Sequence, residues 1–137
     1  MAVIAVDTSV AVAHLLRSHT HHEAVRRHLS RYTLSLTAHS LTETYSVLTR
    51  LPGDARLTAS DARILIEANF PEVVVVPIGV ARRLHIVLSE HDITGGAVYD
   101  AVVALAALHH GLPLATRDRR AAATYAALSV RVELVAD

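Results

Sequence analysis

Short apolar runs alternate along the chain with longer stretches in which apolar residues recur three or four positions apart. The first run, Met1 to Val6, contains β-branched Val3, Ile4 and Val6 without polar alternation, which predicts a strand buried on both faces. It stops at Asp7-Thr8-Ser9. Val10, Val12, Ala13 and Leu16 then share a helical face, with Asp7 or Thr8 in position to cap it. Beyond the polar break Ser18-His19-Thr20, a second helix runs to about Leu29, and Thr33 to Thr37 alternates as a second strand. Ser40 opens a helix carrying Leu41, Tyr45, Val47, Leu48 and Leu51, which Pro52-Gly53 ends. Thr58, with Asp61 three residues on, starts another that runs to about Phe70.

Val73 to Val76 reads as a third buried strand, closed by Pro77. Val80, Leu84, Val87 and Leu88 predict one helix ending near His91, followed by a loop through Gly95-Gly96. Ala97 to His110 is the most apolar helix, stopped by Gly111 and Pro113. A short fourth strand (Leu112 to Thr116), a helix (Arg119 to Leu128) and a closing strand (Val130 to Val135) complete the pattern. Strands alternating with helices predict an α/β fold with a central, mainly parallel sheet of about five strands and helices on both faces. No linker or repeat divides the chain, so residues 1–137 are expected to form one domain.

Composition removes several function classes. There is no cysteine, so neither a disulfide framework nor a thiolate metal site is available. No apolar run approaches the roughly 18 residues needed to span a bilayer, and no basic segment precedes the first run. The expected compartment is the cytoplasm. Thirteen basic residues balance thirteen acids, so net charge points to no nucleic-acid partner. All thirteen are arginine, a bias that a high-GC genome explains without any function. The lack of lysine still excludes a receiver-type phosphoacceptor domain, and Ser9 stands where a haloacid-dehalogenase-like phosphatase has its second acid. Glycine-rich nucleotide loops are missing.

Four acids share a position relative to the predicted elements. Asp7 ends the first strand, and Asp118 follows the fourth. Glu43 and Asp100 fall in the first turns of the helices after the second strand and after Gly95-Gly96. In a parallel sheet these places lie on one edge. Each acid has a structural explanation alone: Asp7 and Asp118 as helix caps, Glu43 in a capping box with Ser40, Asp100 at the positive end of its helix. Together they would repel one another unless protons or cations neutralise them. An all-oxygen set selects Mg²⁺ or Mn²⁺, ions suited to phosphodiester hydrolysis.

The segments Val-Asp7-Thr8-Ser9, Leu-Thr-Glu43-Thr-Tyr, Gly95-Gly96-Ala-Val-Tyr-Asp100 and Leu-Ala-Thr116-Arg-Asp118 resemble, in order and spacing, a PIN-domain ribonuclease. More narrowly they resemble the VapC toxins of bacterial type II toxin–antitoxin systems. The resemblance implies a three-layer α/β/α sandwich and metal-dependent cleavage of RNA. It makes Asp7, Glu43, Asp100 and Asp118 the catalytic, Mg²⁺- or Mn²⁺-holding quartet, with Asp7 and Asp100 expected first among them. Thr8, Ser9 and Thr116 would orient carboxylates or water. It further implies a homodimer and a VapB-type antitoxin whose basic side chain enters the acidic pocket. Some members carry another acid shortly after the fourth, where this chain has Arg119, Arg120 and Ala121, which leaves the number of metals open.

Arg117, Arg119 and Arg120 surround the fourth acid and could hold RNA phosphates or be solvated helix-start residues. His19, His21 and His22 lack the spacing of a metal set. Tyr45 and Tyr99 could stack on a base, but at apolar helical positions core or interface roles are expected. From a different class, an idle PIN-like domain acting as an RNA-binding or assembly module would have no reason to keep four mutually repulsive acids.

Overall fold

The computed structural model describes residues 1–136. Five strands, β1 (Ala2–Val6), β2 (Tyr32–Thr37), β3 (Glu72–Val74), β4 (Leu114–Thr116) and β5 (Val132–Leu134), form one sheet in the order β3-β2-β1-β4-β5. Every pairing is parallel. Among the described residues eight α-helices connect and cover them, with one 3-10 turn at Gly53–Ala55: α1 (Thr8–Leu15), α2 (His22–Leu29), α3 (Ala38–Thr49), α4 (Ala59–Asn69), α5 (Ile78–Ala81), α6 (Leu84–Glu90), α7 (Ala97–His109) and α8 (Arg119–Ala127).

The central strand explains the layering. Ile4 and Val6 point into a core built with α1 to α4, whereas Ala5 packs on the other side with α7 and α8. All three are fully buried, as an unbroken apolar strand between two helical layers requires. The chain lays β2 and β3 to one side of β1, then crosses to place β4 and β5 on the other. The order therefore reverses between β1 and β4. At such a switch point the loops after neighbouring strands diverge and leave a crevice at the carboxyl edge of the sheet.

Several expectations change. The third apolar run gives only a three-residue strand, and Val73 and Val75 are about half exposed because β3 lies at the sheet edge. A run of valines reports strand preference, not the number of neighbours. The helix expected over Val80 to His91 is two short helices, α5 and α6, neither with a fully buried residue to hold one continuous axis. Along α1 the buried face is Val10, Ala11, Ala13 and Leu15, so Val12 and Leu16 are displaced from it. The third helix starts two residues earlier than expected. Thr37 is its cap, with Ser40 as the reciprocal partner at 3.1 and 2.9 Å, so the Ser40–Glu43 capping box does not form.

The last strand is tied to the end of α2 and the start of β2 by a polar clamp. Glu133 on β5 accepts from Tyr32 Oη at 2.6 Å and meets His28 Nε2 at 2.8 Å. Burial works to raise this carboxyl, but hydrogen bonds from Tyr32 and His28, with the charge of His28 and Arg31, outweigh it and hold it below its ordinary value. A depressed carboxylate stabilises the fold above its unfolded pKa, and that contribution is lost as pH falls through the folded one. Glu133→Gln should thus cost about 0.5–1 kcal/mol near neutral pH. In thermal melts the gap from wild type should narrow as pH falls below the ordinary glutamate range and the carboxylate is protonated. Equal melts at neutral pH would refute the clamp.

Candidate active site

Asp7 leaves β1 at the switch point, and its extended backbone makes it the N-cap of α1. Its Oδ1 accepts from Ser9 Oγ at 2.6 Å and from the Val10 amide at 3.2 Å, while Oδ2 accepts from Tyr125 Oη at 2.9 Å. Ser9 Oγ in turn accepts from the Arg117 amide at 3.0 Å. The loops after β1 and β4 are thereby joined through one hydroxyl. Asp7 is only 5% exposed. Burial pushes its carboxyl up from the ordinary carboxylate value, against hydrogen bonds from Ser9, Thr116, Tyr125 and Val10 that favour the charged form. An isolated helix cap at a surface would feel no such burial.

Asp118 caps α8, accepting the Arg120 and Ala121 amides at 2.9 and 3.3 Å. Its own amide donates to the buried Thr116 Oγ1 at 3.0 Å, which fixes the turn out of β4. Asp100 is the fourth residue of α7 and half-buried. Glu43 lies in the second turn of α3, not the first, because the Thr37 cap begins the helix early. That cap also frees the Glu43 carboxylate from backbone duty.

Asp7, Glu43, Asp100 and Asp118 line a single cavity of about 240 Å³, together with Thr8, Ser9, His39, Tyr99, Val103, Ala121 and Tyr125. Four acids from four parts of the chain therefore meet at the crevice. The Asp100 carboxyl is raised by burial, then by the charges of Asp118, Asp7 and Glu43, with His39 opposing. Burial and the neighbouring acids also push the Tyr125 hydroxyl far up, so it remains a donor toward Asp7.

The acids ring the cavity without closing on one point. Among the described residues no three His, Asp or Glu side chains form a ready ligand group, and this includes His19, His21 and His22. The donor set is nevertheless all oxygen, mutually repulsive and arranged around space for an ion with part of its hydration. Mg²⁺ binds in that manner, through one or two carboxylates and retained waters, so the residues fit a hard divalent cation.

The three arginines do not line the cavity. Arg117 Nε donates to Ala136 O at 3.2 Å, helping to close the end of the chain, whereas Arg119 and Arg120 are exposed at the start of α8. Tyr45 and Tyr99 are 39% and 58% exposed, so neither is a core residue. Sequence reasoning missed Tyr125 and His39. Tyr125 follows Asp118 by seven residues, two turns along the same face, and His39 precedes Glu43 by four, one turn away. Those spacings were the available signal.

A PIN domain family model matches residues 4–127. The chain is 48% identical over 133 residues to "Ribonuclease VapC27" of Mycobacterium tuberculosis, covering 97% of both proteins. It is 44% identical over 138 residues to "Ribonuclease VapC40" of the same species, covering 97% of this chain and 99% of that one. The crystal structure of VapBC2 from Rickettsia felis, bound to a promoter DNA fragment, superposes with a TM-score of 0.69 at 13% identity, covering 97% of this chain and 98% of the matched one. With its all-parallel sheet, its switch-point crevice and these full-length matches, the chain belongs to the PIN domain family, in the branch that holds the VapC proteins.

Proposed function

We propose that this chain is a Mg²⁺- or Mn²⁺-dependent endoribonuclease, the toxin of a type II toxin–antitoxin pair. The observation that carries the reading is the convergence of Asp7, Glu43, Asp100 and Asp118 on one cavity at the switch point. Two full-length relatives are named ribonucleases, and the Rickettsia felis structure is of a VapBC pair, which supports an antitoxin partner. The whole chain acts as one domain in the cytoplasm, as a homodimer restrained by a VapB-type antitoxin. Among the described residues no helix is long and apolar enough to cross a membrane.

The four acids would hold the cation, which when bound supplies the Lewis acidity for hydrolysis of an RNA phosphodiester. The protein's part is to present the carboxylates. Ser9 and Tyr125 clamp Asp7 from both oxygens, and Thr116 sets the turn that delivers Asp118. Thr8, on the cavity wall, is placed to orient a water. Arg119 and Arg120, beside Asp118 at the helix start, are the groups for flanking phosphates, and Arg117 supports them by bracing the loop. An idle domain would gain nothing from keeping three acids whose charges push the Asp100 carboxyl up.

The test is cleavage of RNA by the purified chain with Mg²⁺ or Mn²⁺ and with EDTA. Cleavage that appears with the ion and stops in the chelator is expected, together with growth arrest on induction that co-expression of the gene immediately upstream relieves. Cleavage undiminished in EDTA would overturn the metal reading, and growth unaffected by soluble, active protein would overturn the toxin reading.

A further inference from the structure

Three cavity residues carry rings, and of these Tyr125 is buried and committed to Asp7, which leaves Tyr99 and His39. Tyr99 is 58% exposed, and its ring lies against the His39 imidazole with centroids 5.5 Å apart and planes 14° from parallel. Tyr99 is the residue before Asp100 on α7, and His39 is one turn before Glu43 on α3. The stack therefore bridges the two helices that deliver two of the acids, and its position relative to them is fixed by the fold. One face of the tyrosine is backed by the imidazole. The large exposure means that much of the remaining ring stays open at the cavity mouth.

An acidic cavity repels a polyanion, and none of the arginines near Asp118 lines it. Beside the phosphate contacts outside it, a nucleic acid entering the cavity gains from a contact that does not depend on opposite charge. Stacking of a base on an aromatic ring supplies one, since every base has a π-face. Only an unpaired base can use it, because neighbours cover both faces within a duplex.

We propose that the Tyr99–His39 stack is a platform for one unpaired nucleobase next to the cleaved phosphate. This makes Tyr99 a determinant of the nucleotide that flanks the cut. The inference rests on the ribonuclease reading above. Tyr99 touches the base, and His39 is a positioning residue that holds the ring. Purines stack over more area than pyrimidines and should be preferred at this position.

The probe is a set of single-stranded oligoribonucleotides with 2-aminopurine at successive positions, titrated in EDTA and, in parallel, cleaved with Mg²⁺. Wild type and Tyr99→Phe should quench the fluorophore at one position beside the cut, and Tyr99→Ala should not. In cleavage, Tyr99→Ala should raise KM about 10-fold, with the loss falling on KM rather than kcat. An abasic nucleotide at that position should penalise wild type by the same factor and leave Tyr99→Ala unaffected. His39→Ala should weaken the quench, and His39→Phe should restore it. Equal quenching by Tyr99→Ala, or a duplex cleaved as readily as a single strand, would overturn the platform. Cleavage without quenching removes the platform and leaves the nuclease, quenching without cleavage does the reverse, and absence of both removes the two together.

Discussion

Asp7→Asn and Asp100→Asn are each expected to lower Mg²⁺-dependent RNA cleavage by about 10²–10³-fold, with the fold intact. Both changes keep the shape of the side chain and remove one charge from a site built around charge. At Asp7 the neutral amide oxygen can still accept from Ser9 and the Val10 amide, so the cap of α1 survives. At Asp100 the side chain lies beside three other acids, and its loss reduces the attraction for a cation more than it disturbs any packing. Initial rates on a labelled RNA, with circular dichroism to show the fold, decide the matter. Activity within a few-fold of wild type in both variants would remove these residues from the machinery.

The same Asp7→Asn substitution is expected to make the metal-free protein more stable at neutral and alkaline pH, by about 0.5–2 kcal/mol. Burial raises the folded-state pKa of Asp7 above its unfolded value. Such a group favours folding when protonated, and that advantage is lost as pH rises through the folded pKa. Asparagine carries no charge and does not lose it. Melts in EDTA should coincide in acid and diverge as pH rises, the variant melting a few degrees higher. Adding Mg²⁺ should lift wild type and leave Asp7→Asn nearly unmoved, because ligands stabilise the state that binds them. A variant that melts below wild type across the whole range would show that the charged carboxylate, with its four hydrogen-bonding partners, is a net support of the fold. Lost activity with gained stability is the expected signature of an acid kept for function.

How much could be read without coordinates differs between elements for physical reasons. The run Val3 to Val6 identified the central strand because burial on both faces leaves no polar residue in a strand. The equally apolar Val73 to Val76 misled, since the same residues serve an edge strand with one neighbour. The capping pattern of α3 was displaced by three residues because Thr37, Ser40 and Glu43 all satisfy the local rule, and only the end of β2 selects the first pair. Tyr99 was assigned to core or interface by its apolar helical neighbours, whereas the helix start places it at the cavity mouth.

By itself the sequence determined the local chemistry: which stretches become strands and helices, that acids follow β1 and β4, and that no thiolate or lysine takes part. Those are properties of neighbouring residues and their periodicity. Tertiary structure decided what distance along the chain conceals. The strand order β3-β2-β1-β4-β5 brings the loop after residue 6 beside the loop after residue 116, so Ser9 can bind the Arg117 amide and Tyr125 can reach Asp7. Charges so far apart in sequence do not sense one another in an extended chain. Folded around one crevice, Asp118, Asp7 and Glu43 add to burial in raising the Asp100 carboxyl, and that influence exists only where the sheet has set them together.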